Sequence, residues 1–552
     1  MTKLLHSNGI WWFFAALVVF VYFYGLGMPL VGPDEPRYAQ VAREMWQAGN
    51  WITPTLGGFE WFEKPALLYW LQIASYNIFG VTEFAARFGS ALFGLGTIVS
   101  VWILGRSLAT EDTEKNSLAK ISVPSAAKDF PKWAALITAT TIGMLVFSRG
   151  ASFDIIVTFP LTASLVGFFI FDHADEERAR VRFAGLFAFY FFAGVSVLAK
   201  GLIGIVFPFA IVAFYFLLSR RFPSKQFLLG SIWGFAVIIF VAAVWNLPMY
   251  LQHGWKFIDE FYIQHHFQRF TSNKYRHPGP IYYFLIVLPL MTFPWLPFFI
   301  LAVWNSAKNF FRPRDTKTQS GSESLKKVRE TIWPRETLPQ SAIRNPQSLT
   351  VFAISWILVP LVFFSFSGSK LPGYILPAVP PAAILTAMVV SRFVQKSDFR
   401  KALCFGVALA TLASIAASLN LVAPPYFDAD SVKRLVQTAD ANGYSKAKVA
   451  SFRTSSQGSE FYAAGRLIRD ENGAQRRFEN PSDIAAYQQQ FGEPLLVLVP
   501  LKQLDLLADI ASEPIAENGD LAIVVIGAQA SAARRILSIS AAPTPVSSTL
   551  SQ

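Results

Sequence analysis

The sequence predicts a multi-span α-helical membrane protein with a small C-terminal α/β domain. Three observations carry this expectation. The 552 residues are 53% apolar and only 15% charged, whereas a soluble chain is about a quarter charged. The apolar residues gather into about eleven runs of bilayer-crossing length or slightly less, a crossing taking roughly 20 residues. From Ala423 onward the pattern changes to short apolar runs separated by polar helical stretches.

The first run, Ile10–Leu30, is too long for a signal-peptide core and has no clear small-residue cleavage site, so it reads as a retained helix. The next are Phe84–Leu104, Trp133–Phe147, Ile155–Phe171, Phe183–Leu198 and Leu202–Leu218. Phe227–Leu247, Ile281–Leu301, Leu349–Phe366, Tyr374–Val390 and Ala402–Val422 complete the set. Residues 1–422 thus form the transmembrane part. Residues 423–537 read as the soluble domain, with apolar runs at Lys448–Phe452, Leu495–Pro500 and Leu521–Ile526 marking strands. The tail, 538–552, is rich in Ser, Ala, Pro and Thr and reads as disordered.

Charge orients the spans. With the N-terminus in the cytoplasm, alternation puts Arg106, Lys132, Arg178, Arg182, Arg220, Arg221, Arg392 and Lys401 in inside loops. The long basic loop 305–348, rich in Ser and Pro, joins them and reads as flexible. The net charge of +12 is thereby accounted for by topology, and no nucleic-acid partner is needed. The single cysteine, Cys404, lies in an apolar run and excludes an internal disulfide or a Cys-rich metal site.

The outside ends of the spans carry the candidate chemistry. The first outside loop, 31–83, is too long for a simple connection. It opens with Gly32-Pro33-Asp34-Glu35-Pro36-Arg37-Tyr38, placing two carboxylates and a guanidinium at the membrane boundary. Asp34 also suits a helix N-cap, with a proline in the first turn. Further along, Glu63 and Lys64 sit among interfacial aromatics; Lys64 suits a phosphate, and a surface ion pair is the alternative. Arg149 and Asp154 lie between the third and fourth spans. Lys200 interrupts a long apolar stretch, where ionisable groups are costly and usually functional, or else marks a helix end. The loop 248–280 holds His253, His265, His266 and His277 with Arg269; its histidine spacing matches no zinc motif, so a metal and ordinary interfacial histidines both remain open. Lys370 and Tyr374 stand at the start of the tenth span. Cations for phosphate, carboxylates for sugar hydroxyls or a nucleophile, and apolar helices for a lipid tail suit an anionic amphiphile.

The ordered set resembles a known family. Asp34-Glu35-Pro36-Arg37-Tyr38-Ala39 with Arg43-Glu44-Met45, Trp51-Ile52-Thr53-Pro54, Phe62-Glu63-Lys64-Pro65 with Tyr69-Trp70, Arg87, Ala199-Lys200-Gly201, His266 with Gln268-Arg269-Phe270, and Ser369-Lys370-Leu371-Pro372 with Tyr374-Ile375-Leu376-Pro377 follow in order over roughly the first 390 residues. They resemble the bacterial 4-amino-4-deoxy-L-arabinose lipid A transferases and, more distantly, the protein O-mannosyltransferases. The resemblance implies a GT-C-type glycosyltransferase fold in the bacterial inner membrane, with the active site facing the periplasm. It implies a polyprenyl (undecaprenyl) phosphate sugar donor and an acceptor that is lipid A, another glycan or a protein. It further implies catalytic carboxylates at Asp34, Asp154 and Glu35, and phosphate or substrate binding by Arg37, Lys64, Lys200, Arg269, Lys370 and Tyr374. Glu63 and His266 correspond to a metal pair, zinc being the metal implied. Here His265 stands where the family often has Glu, and the region after Ala423 matches none of the motifs. A flippase or transporter for a lipid-linked sugar would use the same phosphate contacts, but calls for charges or broken helices at mid-membrane; a membrane scaffold leaves the ordered motifs unexplained.

Overall fold

The computed structural model describes residues 5–115, 125–268, 278–310 and 346–527. The expected tail 538–552 and most of the loop 305–348 lie outside these. The chain divides into two compact units. One comprises Met1–Tyr24, Phe62–Leu68 and Arg87–Ala416; the other comprises Gly25–Trp61, Tyr69–Ala86 and Ala417–Gln552. Most of the first long loop thus shares a unit with the C-terminal region.

Among the described residues, seven helices are long and apolar enough to cross a membrane: Glu83–Leu108, Phe153–His173, Ala179–Lys200, Lys225–His265, Gln347–Ser365, Pro372–Val394 and Asp398–Leu421. Asn8–Phe23 and Ile203–Ser219 are shorter apolar helices. The two expected runs that remain, Trp133–Phe147 and Ile281–Leu301, are helical but broken. The first splits at Thr141 into Ser125–Thr140 and Ile142–Phe147. The second splits between Tyr283–Met291 and Leu296–Phe310, a stretch that contains Pro294. The two breaks satisfy each other. The Ile142 amide donates to the Phe293 carbonyl at 2.8 Å, and the Trp295 indole donates to the Thr140 hydroxyl at 2.9 Å. Backbone freed from a helix within an apolar layer needs such partners, because no water is there to supply them.

The expected loop 248–280 is helical over much of its length. Its helix runs through Pro248 to Phe257, with a break at Gly254 (φ +55), and continues as wide π-type turns over Ile258–Gln268. Apolar residues continue past Leu247: Met249, Phe257 and Phe261 are buried, so packing carries the helix beyond the end of the hydropathic run.

The basic helix ends in the first unit are tied by ion pairs. Asp129 meets Lys132 at 3.4 Å and Lys401 at 3.5 Å, His6 meets Asp398 at 2.8 Å, and Arg221 meets Asp172. These ends are opposite those at which Asp154 and Lys200 stand: Asp154 begins, and Asp172 ends, the helix Phe153–His173, about 30 Å long at 1.5 Å per residue.

In the second unit, the hairpin β1 (Thr55–Leu56) and β2 (Phe59–Glu60) belongs to the first loop. The C-terminal region forms a five-stranded mixed sheet from β3 (Lys448–Phe452), β4 (Arg477–Phe478), β5 (Leu495–Pro500), β6 (Ala516–Glu517) and β7 (Leu521–Ile526). The strand order is β4-β3-β5-β7-β6. β3 is parallel to β4 and β5, and β7 is antiparallel to β5 and β6. The three longer strands coincide with the three apolar runs read from the sequence. Both faces of the sheet are covered. Phe452, Val497, Val499 and Val524 pack with Ile484 and Leu507, while Val449, Leu496, Leu498 and Ile523 pack with Leu435, Val436 and Leu467. Continuous apolar runs, rather than alternating ones, are what such doubly covered strands require.

The first loop is bound into this unit by one carboxylate. Glu44 accepts from the Thr55 hydroxyl at 3.0 Å and from the amides of Gly57 and Gly58 at 2.7 and 3.1 Å, which fixes the β1–β2 turn. Gly57 (φ +64) lies so close to Arg469 that a Cβ there would stand 1.7 Å from its Nε. Gly58 (φ +83) has open space instead. Alanine at either position meets a left-handed backbone cost of about 1–2 kcal/mol, but only Gly57→Ala must also displace Arg469. Thermal unfolding of the purified protein is expected to show a clearly larger loss of Tm for Gly57→Ala than for Gly58→Ala; equal losses would contradict this packing.

Candidate active site

In the first unit, two helix ends bring Asp154 and Lys200 together. The helix Phe153–His173 begins at Ser152, whose hydroxyl accepts from the Asp154 amide at 3.2 Å. The helix Ala179–Lys200 ends because Gly201 adopts φ +63, ψ −137, a backbone conformation that favours glycine. The Lys200 ammonium donates to Asp154 Oδ1. Their side chains are 19% and 17% exposed, so the pair is largely withdrawn from water. Lys200 Nζ also stands 5.0 Å from the centroid of the Tyr374 ring, a cation–π contact. Next to Tyr374, Gly373 leaves the room Asp154 occupies: a Cβ there would lie 1.8 Å from Asp154 Oδ2. Three of the residues singled out from sequence therefore converge, and a fourth position, Gly373, makes the convergence possible.

Lys370, three residues before Gly373, donates to the Ser367 carbonyl at 2.7 Å. Glu63 and Lys64 form an ion pair at 2.8 Å with side chains 12% and 17% exposed. It is set by Phe62, which is buried against the rings of His253 and Phe257. The side chain of His266 and all of Arg269 and His277 lie outside the described residues. Arg149 serves the scaffold: it donates to the carbonyls of Val21 and Tyr24, at the C-terminal end of the first helix, where carbonyls lack helical partners. Burial, with Arg87 nearby, draws its pKa down to about 10, so it stays charged at neutral pH.

In the second unit, Asp34 occupies the N-cap position of the helix Glu35–Gln47, with Pro36 in the first turn, but its side chain does not cap. It accepts instead from Arg37 at 2.6 Å and is about half exposed. Arg37 is held by the Pro33 carbonyl at 2.8 Å and lies 5.7 Å from the Trp61 ring centroid. Glu35 accepts from the Val31 amide at 3.4 Å. Asp34 is therefore aimed by a guanidinium and open to solvent.

Sequence reasoning left other residues of this unit unassigned. Glu83 accepts from Lys433 at 2.7 Å and from the Tyr462 hydroxyl at 3.1 Å, and that hydroxyl accepts from the Leu30 amide at 2.7 Å. Arg43 donates to the Phe461 carbonyl at 2.7 Å and lies 3.9 Å from the centroid of its ring; burial lowers its pKa from the ordinary value. Arg43 and Glu44 were already part of the ordered motif set, which was the available signal; Glu83 and Tyr462 had none.

The chain is similar in sequence and in fold to known proteins. The sequence model of the dolichyl-phosphate-mannose-protein mannosyltransferase family matches residues 10–113. The undecaprenyl phosphate-alpha-4-amino-4-deoxy-L-arabinose arabinosyl transferase of Aeromonas salmonicida is 29% identical over 374 residues, 67% of this chain and 58% of that protein. The enzyme of that name from Yersinia enterocolitica is 30% identical over 375 residues, 67% and 56% of the two chains. The crystal structure of ArnT from Cupriavidus metallidurans bound to undecaprenyl phosphate superposes with a TM-score of 0.69 over 95% of this chain and 99% of that one, at 21% identity. This chain is a relative of the aminoarabinose transferases and has their GT-C fold. It is a multi-span membrane protein, as they are, and its match spans a little under three-fifths of the two curated transferases named above.

The described residues contain no group of three or more His, Cys, Asp or Glu side chains close enough to hold a metal. A cavity of about 390 Å³ between Arg182, Gln226 and Trp233 lies at the basic helix ends, remote from Asp154 and Lys200.

The Asp154–Lys200 pair permits a direct test. Removing one member of a largely buried pair strands the other charge and costs about 3–5 kcal/mol. Asp154→Asn and Lys200→Met are each expected to destabilise the protein by that order, and the double substitution by less than the sum. Unfolding in detergent measures all three; additive losses would show that the two side chains do not interact.

Proposed function

We propose that this protein is a membrane glycosyltransferase of the bacterial inner membrane. It moves a sugar from a polyprenyl phosphate carrier, undecaprenyl phosphate above all, to a periplasmic acceptor such as lipid A or another glycan. The observation that carries the reading is the pair of largely buried lysines, Lys64 and Lys200, each held on a carboxylate within a helical frame similar over 67% of its length to an undecaprenyl phosphate aminoarabinose transferase. A lysine poised on a carboxylate keeps its charge in an apolar setting and can exchange that partner for an arriving phosphate. The periplasmic assignment is supported by Lys132, Arg182 and Arg221, which cluster at the helix ends opposite Asp154.

In this reading the polyprenyl chain stays in the bilayer while Lys64 and Lys200, aided by Arg37, Arg269, Lys370 and Tyr374, hold the phosphate. An acceptor oxygen attacks the anomeric carbon, and the bond from that carbon to the phosphate oxygen breaks. The phosphate leaves with the electron pair, and the cations stabilise the charge that builds on it. Where the acceptor is a hydroxyl, Asp34 takes its proton; where it is already an anionic phosphate, Asp34 orients it. Asp154 keeps Lys200 in position, and Glu35 steadies the turn before Asp34. Glu63 and His266 are the side chains that would hold a divalent metal, zinc in the first instance, which would supply a further positive charge. The mannosyltransferase match over residues 10–113 favours, as a second reading, a protein hydroxyl as acceptor.

Transfer of radiolabelled sugar from a panel of polyprenyl-phosphate sugars, by purified protein in lipid, tests this proposal. Asp34→Asn is expected to lower kcat by roughly 10²–10⁴-fold for a hydroxyl acceptor while the protein stays folded. Retained turnover would remove Asp34 from the chemistry. In the same assay, Lys64→Ala is expected to raise the KM for the donor and leave that for the acceptor unchanged; the opposite pattern would refute a phosphate-binding role.

A further inference from the structure

The second unit contains a polar cavity lined by none of the residues given a role in the reaction above. Its volume is about 290 Å³. One wall is the segment Leu30–Pro33, which leads directly into Asp34. The other is the loop Thr454–Gly458, with Asp520 at its rim. The loop follows β3. Arg453, at the end of that strand, takes φ +51, rarely adopted by a side-chain-bearing residue, and is held there by hydrogen bonds to the Phe478 and Glu479 carbonyls at 2.9 and 2.7 Å. Asp520 accepts from the Leu501 amide at 2.9 Å, next to the end of β5. The cavity therefore opens at the carboxyl ends of two parallel strands, where sheets of this kind usually bind ligands.

Its chemistry is distinctive. Among the described residues, no hydrogen bond occupies the side chains of Thr454, Ser455 or Gln457, and no ion pair occupies Asp520. The lining contains hydroxyls, an amide and one carboxylate, and no lysine or arginine. Leu30, Val31, Pro33 and Leu521 supply apolar surface beside them. Hydroxyl and amide groups that both donate and accept, interleaved with apolar surface, match the alternating O–H and C–H faces of a sugar ring. The absence of a cation in the lining, with a carboxylate present, disfavours phosphate.

We infer that this cavity binds a neutral or amino sugar without phosphate, through Thr454, Gln457 and Asp520. That this sugar is part of the acceptor, brought beside Asp34 by the Leu30–Pro33 wall, rests on the transferase reading; the sugar site itself does not.

The test uses the full chain in lipid nanodiscs. Calorimetry or saturation-transfer NMR measures binding of free glucosamine disaccharide, with its phosphorylated form for comparison. The triple variant Thr454→Val, Gln457→Ala, Asp520→Asn removes side chains that no hydrogen bond holds, so its melting temperature should match the native one. The native protein is expected to bind the unphosphorylated disaccharide more tightly than the phosphorylated one. The triple variant is expected to bind it about tenfold or more weakly, the loss of a few hydrogen bonds. In the transfer assay the variant should raise the acceptor KM by a similar factor, with donor KM and kcat unchanged. No saccharide binding by the native protein, equal binding by the variant, or preference for the phosphorylated sugar would overturn the site. Saccharide binding lost in the variant, together with no transfer by the native protein to any acceptor, would keep the site and overturn the transferase reading.

Discussion

A lysine at the end of an apolar helix persists as a cation only if something replaces the water it has lost. Asp154 does this for Lys200, and much of the local structure is arranged to let it. Ser152 starts the Asp154 helix one residue before that helix's first turn, and Gly201 ends the Lys200 helix immediately after the lysine. Gly373 gives up a side chain so that the carboxylate can lie against the next turn, and Tyr374 offers its ring to the ammonium. An aliphatic pair could fill the same space at lower desolvation cost. A charged pair costs more to bury than an aliphatic one, and under the proposed function the charge it keeps in place is there to meet a lipid phosphate.

The second unit is governed by a comparable rule. A long loop between two helices pays a large ordering entropy unless its backbone is tied down. Glu44 alone accepts from a hydroxyl and two backbone amides of that loop, while Glu83 joins Lys433 and Tyr462. The C-terminal region is thus more than an appended domain: Tyr462, from a short helix beside the sheet, secures the segment that begins at Leu30 and contains Asp34. A rigid start to the Glu35–Gln47 helix is what allows the Asp34 carboxylate to be aimed by Arg37 rather than used as a cap.

Much of this was legible in the sequence because it is local. Hydropathy located a helix for each of the eleven apolar runs, and the three continuous apolar runs after Ala423 marked β3, β5 and β7. What escaped is long-range. Asp154 and Lys200 were each singled out as costly charges, but nothing in a separation of 46 residues says that they meet. Two spans read as continuous are broken, because the Thr141 break and the stretch around Pro294 supply each other's hydrogen bonds. A hydropathy window sees apolar residues on both sides of such a break and passes over it. The loop after Leu247 was drawn too early for a related reason: buried Phe257 and Phe261 extend the helix by packing, after the uniformly apolar run has ended. The role of Gly373 depends on a neighbour more than two hundred residues away.

The central claim is that Lys64 and Lys200 are held for a lipid phosphate. Binding of undecaprenyl phosphate, compared with uncharged undecaprenol, to the native protein and to a variant carrying Lys64→Met, Lys200→Met and Asp154→Asn tests it most directly. The account predicts that the native protein prefers the phosphate by tenfold or more, as a charged hydrogen bond worth about 1.5–3 kcal/mol implies, and that the variant loses the preference while staying folded. A native protein that binds the two lipids equally, or a variant that keeps the preference, would contradict it.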